Sequence, residues 1–255
     1  DWRSENPVRV LKTAEELDIM RQAGKITAMT LDMVEENIEA GLTTGQLDML
    51  VEDFIRSHGA IPAFKNYHGY PASACISIDS EVVHGIPGKR VIKEGQIVSV
   101  DIGAIVDNYY GDSARTFAIG EVSPEKKRLM KVTQEALSAA IDKARKGNRL
   151  GQVSSTVQQV AEAAGFGVVR QLVGHGIGRK MHEEPQVPNF GSPNEGPVLQ
   201  VGMVIAIEPM VNLGTYDVKT MPDGWTIVTA DGAPSAHFEH TVAITEDGPE
   251  ILTVA

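Results

Sequence analysis

The chain has 255 residues, of which 42% are apolar and 22% charged, and a formal net charge of −11; this is the balance of a globular protein long enough to bury a sizeable core. Such a charge argues against nucleic-acid phosphates as the main partner, and a single cysteine, Cys75, excludes an internal disulfide and fits a reducing compartment. The first twenty residues lack the apolar region of a signal peptide and no apolar run approaches the roughly 18 residues of a membrane span, so a cytoplasmic protein without a membrane anchor is expected.

Residues 1 to 12 read as a short, weakly specified lead-in. Thr13-Ala14-Glu15-Glu16 is a capping box, and Leu17, Met20, Ile26, Met29 and Met33 follow at near-helical spacing. They predict a helix to about Ala40, stopped by Gly41. Thr43-Thr44-Gly45-Gln46 opens a second helix whose apolar stripe is Leu47, Leu50, Val51, Phe54 and Ile55, ending at Gly59. Residues 60 to 73 are loop-like yet rich in aromatics, which loops normally shed, so this segment is expected to cover or line something. Cys75 to Ile78 alternates like a strand, and His84-Gly85-Ile86-Pro87-Gly88 is a turn.

The stretch Ile97 to Phe117, IVSVDIGAIVDNYYGDSARTF, reads as two apolar strands around an Asp107-Asn108 turn, each carrying one aspartate where packing is expected. A two-residue hairpin leaves two registers open. Both put Asp101 and Asp112 on one face, directly opposite or one step diagonal, about 5 to 8 Å apart. Two carboxylates that close in apolar surroundings repel each other and lose hydration, so they call for a cation between them. Ser123-Pro124-Glu125 then caps a helix to about Lys146, and a shorter helix spans roughly Gln152 to Ala164. Strands are expected near 168 to 173, 203 to 213, 225 to 229, 237 to 245 and 250 to 254, between Gly/Pro-rich turns.

The two halves repeat at an offset of 106 to 107. Gly41, Gly45, Leu47, Val51 and Gly59 fall on Gly147, Gly151, Val153, Val157 and Gly165; the segment 94 to 101 falls on 201 to 208; His68-Gly69 falls on His175-Gly176. Self-similarity at a fixed offset implies duplication and a pseudo-two-fold arrangement. Asp101 and Glu208 then become symmetry mates converging on one site. With no linker between the halves, a single catalytic domain is expected over 1 to 255, its lobes roughly 13 to 120 and 121 to 254.

Further polar residues lie in apolar or glycine-rich settings: His84 in VVHGIPG, His175 and His182 in GHGIGRKMHEEP, Glu208 in VIAIEPMV and Glu239 in HFEHTVAI. Each alone has an ordinary structural explanation, as a loop histidine or a paired strand charge. Together, four carboxylates buried in strands are too costly to be incidental. With one imidazole they suit Mn, Fe, Co or Zn, and can hold two such ions about 3.5 to 4 Å apart.

The ordered set YHGYP, HGIPG, VDIGA, GDSARTF, GHGIGRKMHEEP, IEPM and FEHT resembles the type I methionine aminopeptidases over residues 13 to 254. The resemblance implies an α/β (α+β) pita-bread fold in which helices cover a central antiparallel sheet. It implies Asp101, Asp112, His175, Glu208 and Glu239 as ligands of two divalent ions, with Asp112 and Glu239 bridging. His84 and His182 are then the non-ligand catalytic histidines and Glu208 the proton shuttle, while Tyr67, Tyr70, Cys75, Met181 and Trp225 line the side-chain pocket with Phe64 at its mouth. Two positions depart from the pattern: many members carry phenylalanine in place of Met181 and a small residue in place of Phe64. The implied activity is removal of the initiator methionine from nascent chains ahead of a small second residue, by a monomer. Two alternatives stand beside it. An X-Pro peptidase of the same fold would carry a large extra N-terminal domain, where here twelve residues precede the first helix. A metal-free binding homologue would have lost ligands. Basic residues at 126 to 131 and 143 to 149 offer a surface for the ribosome, against the competing reading of a solvated helix face.

Overall fold

The computed structural model describes residues 11 to 255; residues 1 to 10 of the lead-in lie outside the described residues. The first half comprises α1 (Ala14–Asn37), α2 (Thr44–Ser57), β1 (Ile61–Pro62), β2 (Ala74–Ile78), β3 (Glu81–Val83), β4 (Ile97–Val106) and β5 (Tyr109–Ala118). The second comprises α3 (Pro124–Asp142), α4 (Leu150–Ala163), β6 (Gly167–Val168), β7 (Gly174–Gly176), β8 (Glu183–Val187), β9 (Val204–Ile207), β10 (Met210–Asn212), β11 (Val218–Thr220), β12 (Ile227–Thr229), β13 (Ser235–His237), β14 (His240–Thr245) and β15 (Gly248–Ile251).

Both predicted capping boxes form. Thr13 accepts from Glu16 N while the Glu16 carboxylate accepts from Thr13 N, and Thr43 and Gln46 repeat the pattern at α2. Helix α1 stops three residues before Ala40, because Ile38 turns extended and the Asn37 amide donates to the Met33 carbonyl. Helix α3 ends at Asp142 instead of Lys146. There Ala144 N bonds to Ile141 O in a tighter turn, and Gly147 N is taken by Leu199 O.

All the strand pairs are antiparallel. β4 lies between β5 on one edge and β2 and β1 on the other, and a five-stranded sheet runs β15-β14-β9-β7-β8. Along β4 the even positions Val98, Val100 and Ile102 pack with Leu31, Leu47, Val51 and Ile55 from the helices. The odd positions carry Ser99, Asp101 and Gly103 on the other face, so both faces are buried and the strand reads as a near-continuous apolar run. The second half has its own core, in which Leu129, Leu137, Val153 and Val157 of α3 and α4 meet Ile205, Ile207, Val242 and Ile244.

The expected strand at 203 to 213 is broken between β9 and β10 at Glu208-Pro209, where proline has no N–H for a ladder. The expected strand at 237 to 245 is likewise interrupted at Phe238-Glu239, so Glu208 and Glu239 sit at strand breaks and not within strands. β8 and β11 were not foreseen, since Glu-Glu-Pro and Asp-Val-Lys lack an apolar alternation. The helices and carboxylate strands follow the repeat, but His68 lies in a 3₁₀ turn at φ 48° whereas His175 is paired in β7. The β11–β12 hairpin is extra to the second half.

Candidate metal centre and substrate cavity

Asp107 and Asn108 both adopt left-handed conformations, φ 46° and 67°, the geometry of a two-residue hairpin turn. This selects the diagonal register: Asp101 faces Ala114 and Asp112 faces Gly103, both carboxylates on the inner face.

Main-chain and hydroxyl contacts tie this ribbon to the other half. Ala114 and Glu239 exchange backbone hydrogen bonds of 3.0 and 3.3 Å. The Thr241 hydroxyl donates to Asp112 O at 2.7 Å, and the Ser113 hydroxyl donates to Glu239 O at 2.6 Å. Four carboxylates and two imidazoles converge as a result. His175 Nε2 lies 3.5 Å from Asp112 Oδ2 and 3.4 Å from Glu208 Oε1, while His237 Nε2 lies 3.3 Å from Glu208 Oε2. Ligand atoms of Asp112, His175 and Glu239 fall within 4.8 Å of one another, as do those of Asp101, His237 and Glu239. Glu239, 1% exposed, is common to both groups.

Among the described residues, Asp101 Oδ1, Asp112 Oδ1 and both oxygens of Glu239 are buried without a hydrogen-bond partner. Burial, and then the repulsion of Asp112, pushes the Asp101 carboxyl far above its usual range; burial with Asp112, Glu208 and Asp101 does the same to Glu239. Burial lowers the pKa of His175, but Asp112 and Glu208 outweigh it and raise the ring to about 9. Its Nδ1 lies 2.8 Å from the Gly176 carbonyl, which fixes a proton there and leaves Nε2 as the donor atom when the ring is neutral. Orphaned anionic oxygens beside such an imidazole are a donor set that fits divalent cations.

A cavity of about 200 Å³ opens on this cluster. One wall is the apolar group Phe64, Tyr70, Cys75 and Met181, with Tyr67 and Trp225 packed against it, so the structure brings together all six expected pocket residues. Tyr70 meets Trp225 edge-on at 5.1 Å, and Trp225 arrives on the extra β11–β12 segment. Burial, then Asp101, pushes the Cys75 thiol well up, so it acts as a small apolar wall and not a nucleophile.

His84 and His182 face the same cavity. His84 is held at φ 61°, unusual for a non-glycine residue. The next residue must be glycine for a separate reason: a Cβ on Gly85 would meet Ile76 O at 2.1 Å. Burial lowers the His84 pKa; burial, and then neighbouring His175, lowers that of His182. The Tyr67 hydroxyl lies 2.7 Å from His182 Nδ1, and the His182 ring lies 4.2 Å from that of His175. Sequence reasoning missed His237 and the apolar lining Val83, Leu172, Val173 and Met210. For His237 the signal was its spacing two residues before Glu239, which places both on one face of an extended chain.

A model of metallopeptidase family M24 matches residues 18–246. The methionine aminopeptidase of Clostridium perfringens is 54% identical over 245 residues, covering 96% of this chain and 98% of its own. The crystal structure of the methionine aminopeptidase of Thermotoga maritima superposes with a TM-score of 0.96 at 47% identity, covering 97% of this chain and all of that one. Prolidase from Pyrococcus furiosus shares the fold with a TM-score of 0.80 and 26% identity, but only 66% of its length is covered. The expected α/β pita-bread fold is thereby borne out.

Proposed function

Because the chain belongs to metallopeptidase family M24, we propose that it is a methionine aminopeptidase, removing the N-terminal methionine of nascent polypeptides in the cytoplasm. The observation that carries this reading is the convergence of Asp101, Asp112, His175, Glu208 and Glu239, with buried orphan oxygens, at the foot of an apolar cavity sized for one side chain. These five residues would hold two divalent cations, and Glu239 has both of its buried oxygens unpartnered among them. When bound, such ions supply Lewis acidity and a water acidic enough to react at neutral pH.

The chain's own residues do the rest. The apolar group around Tyr70, Cys75 and Met181 takes the unbranched methionine side chain, with Phe64 at its mouth and Trp225 closing one side. Asp101 lies nearest the free α-amine, which limits cleavage to the first peptide bond. Glu208 takes a proton from the attacking water and passes it to the departing amine. His182, neutral because burial lowers its pKa, donates from Nε2 to the carbonyl oxygen as negative charge develops there. That donation requires Nδ1 to accept, and the Tyr67 hydroxyl is placed to donate to it. His84 contacts the scissile nitrogen. The two lobes act as one domain, since each supplies ligands to the shared centre. No helix among the described residues is long and apolar enough to cross a membrane. Monomeric action near the ribosome completes the proposal.

The test is release of methionine from Met-Ala and Met-Leu peptides by purified protein, before and after exhaustive chelation. Metal-dependent release that favours alanine in second position is expected. Full activity without metal, or equal rates on both peptides, would refute the reading.

A further inference from the structure

We propose that His237 is a positioning residue of the metal centre, donating from Nε2 to Glu208 and setting which carboxylate oxygen Glu208 presents to a divalent cation; this rests on the reading of the centre given above. The Glu208 carboxylate lies between two imidazoles, with Oε1 3.4 Å from His175 Nε2 and Oε2 3.3 Å from His237 Nε2. The two rings differ in what fixes them. His175 Nδ1 is engaged by the Gly176 carbonyl, which turns the lone pair of Nε2 toward Asp112 and Glu208. His237 Nε2 is buried without a hydrogen-bond partner, and Glu208 Oε2, 3.3 Å away, is an acceptor within reach of a proton there.

The backbone of His237 is clamped from both halves of the molecule. Its N–H donates to Thr116 Oγ1 at 2.9 Å, and the Thr116 hydroxyl lies 2.9 Å from its carbonyl oxygen and 2.8 Å from Ser99 Oγ. On the other side His237 pairs with Met210 in β10, directly after Glu208-Pro209. Residue 237 is therefore fixed relative to Glu208 by the strand pairing and relative to Asp101 and Asp112 by β5. A residue whose backbone is held this firmly, and whose buried imidazole lies 3.3 Å from a ligand carboxylate, has the placement of one that orients a ligand. One oxygen of Glu208 taken by His237 leaves the other, beside His175, for the cation.

The experiment is calorimetric titration of metal-free protein with Mn²⁺, paired with kcat and KM on a Met-Ala peptide at saturating Mn²⁺. His237→Leu is expected to weaken Mn²⁺ binding by about 10- to 100-fold and to lower kcat with KM near the parent value. His237→Gln, which keeps a donor at similar reach, is expected to restore most of both. Should the leucine variant fail to fold, His237→Asn, polar but too short to reach Glu208, takes its place with the same expectation. Mn²⁺ affinity and kcat within twofold of the parent in the leucine or asparagine variant would overturn the proposal. So would a Mn²⁺-bound crystal structure with Nε2 as a direct ligand. A parent protein that binds no Mn²⁺ would overturn the proposed centre itself, which separates the two failures.

Discussion

Replacing Tyr67 by phenylalanine isolates one hydroxyl of the site. The phenol lies 2.7 Å from His182 Nδ1, and burial pushes its own pKa up, so it remains a proton donor throughout the neutral range. With the phenol donating to Nδ1, the neutral ring carries its proton on Nε2, the atom proposed above to donate to the substrate carbonyl; without it the two tautomers compete. One such hydrogen bond contributes about 0.5 to 1.5 kcal/mol net, which corresponds to a loss of roughly 2- to 13-fold in kcat. Complete removal of the donor in His182→Ala should cost about 10²- to 10³-fold. Phenylalanine fills the same volume in the apolar group, so KM for a Met-Ala peptide should change little. The double variant should be no slower than His182→Ala alone, because the hydroxyl acts only through that ring. Steady-state kinetics on the four proteins at saturating metal decides the matter. An undiminished kcat in Tyr67→Phe, or losses that multiply in the double variant, would refute the reasoning.

Other substitutions probe the centre and its frame. Asp101→Asn and Glu239→Gln should each reduce turnover by more than about 10²-fold, while the metal-free proteins melt no lower than the parent, since each removes a carboxyl whose ionisation is opposed by burial and by its acidic neighbours; a much lower melting temperature would contradict the electrostatic account. Gly111→Ala should destabilise by roughly 2 kcal/mol or more, because the added Cβ would come within 2.8 Å of the α1 backbone at Ala23 and Gly24; denaturant titration measures it, and a neutral result would mean that α1 shifts freely. The Glu16 pKa is lowered, first by the Tyr109 hydroxyl and then by Thr13 N–H. Its stabilising contribution is therefore present above the unfolded value near 4.5 and fades as pH falls through the lower folded value. Glu16→Gln should melt below the parent at neutral pH and converge with it in acid; a constant difference would show the bonds do not depend on charge.

The sequence showed the parts of the site that break a local pattern. Asp101, Asp112 and Glu208 stood out because a carboxylate in an apolar strand is expensive, and both capping boxes because their spacing is itself the mechanism. What it left open depended on dihedral angles or on partners far along the chain. The hairpin register stayed ambiguous until Asp107 and Asn108 were both seen at positive φ. Glu239 could be named but not placed, because its ladder partner is Ala114 rather than a neighbour in its own sheet. The β11–β12 hairpin breaks the repeat, so Glu239, and not the residue one offset away, occupies the place in the second half that Asp112 has in the first. His237 was hidden by its company: within HFEHT it reads as one more residue of a buried strand, and only the β13–β10 pairing brings it to Glu208.

The contacts that assemble the centre belong mostly to backbone and hydroxyl groups, not to the ligand side chains. Ala114 with Glu239, Thr241 with Asp112, Ser113 with Glu239 and Thr116 with His237 join β5 to the 237 to 241 segment across the boundary between the halves. None of these bonds uses a carboxylate or imidazole needed for a cation. The ligand geometry is thus held by groups indifferent to whether the cation is present, and the two apolar cores on either side oppose the mutual repulsion of the carboxylates. A cation entering such a frame meets oxygens already gathered and unsolvated, so little of its binding energy is spent on reorganisation. The same arrangement explains why a duplicated architecture suits this chemistry. A single hairpin could bring two carboxylates together, but opposing their repulsion takes a second core on the far side of the centre.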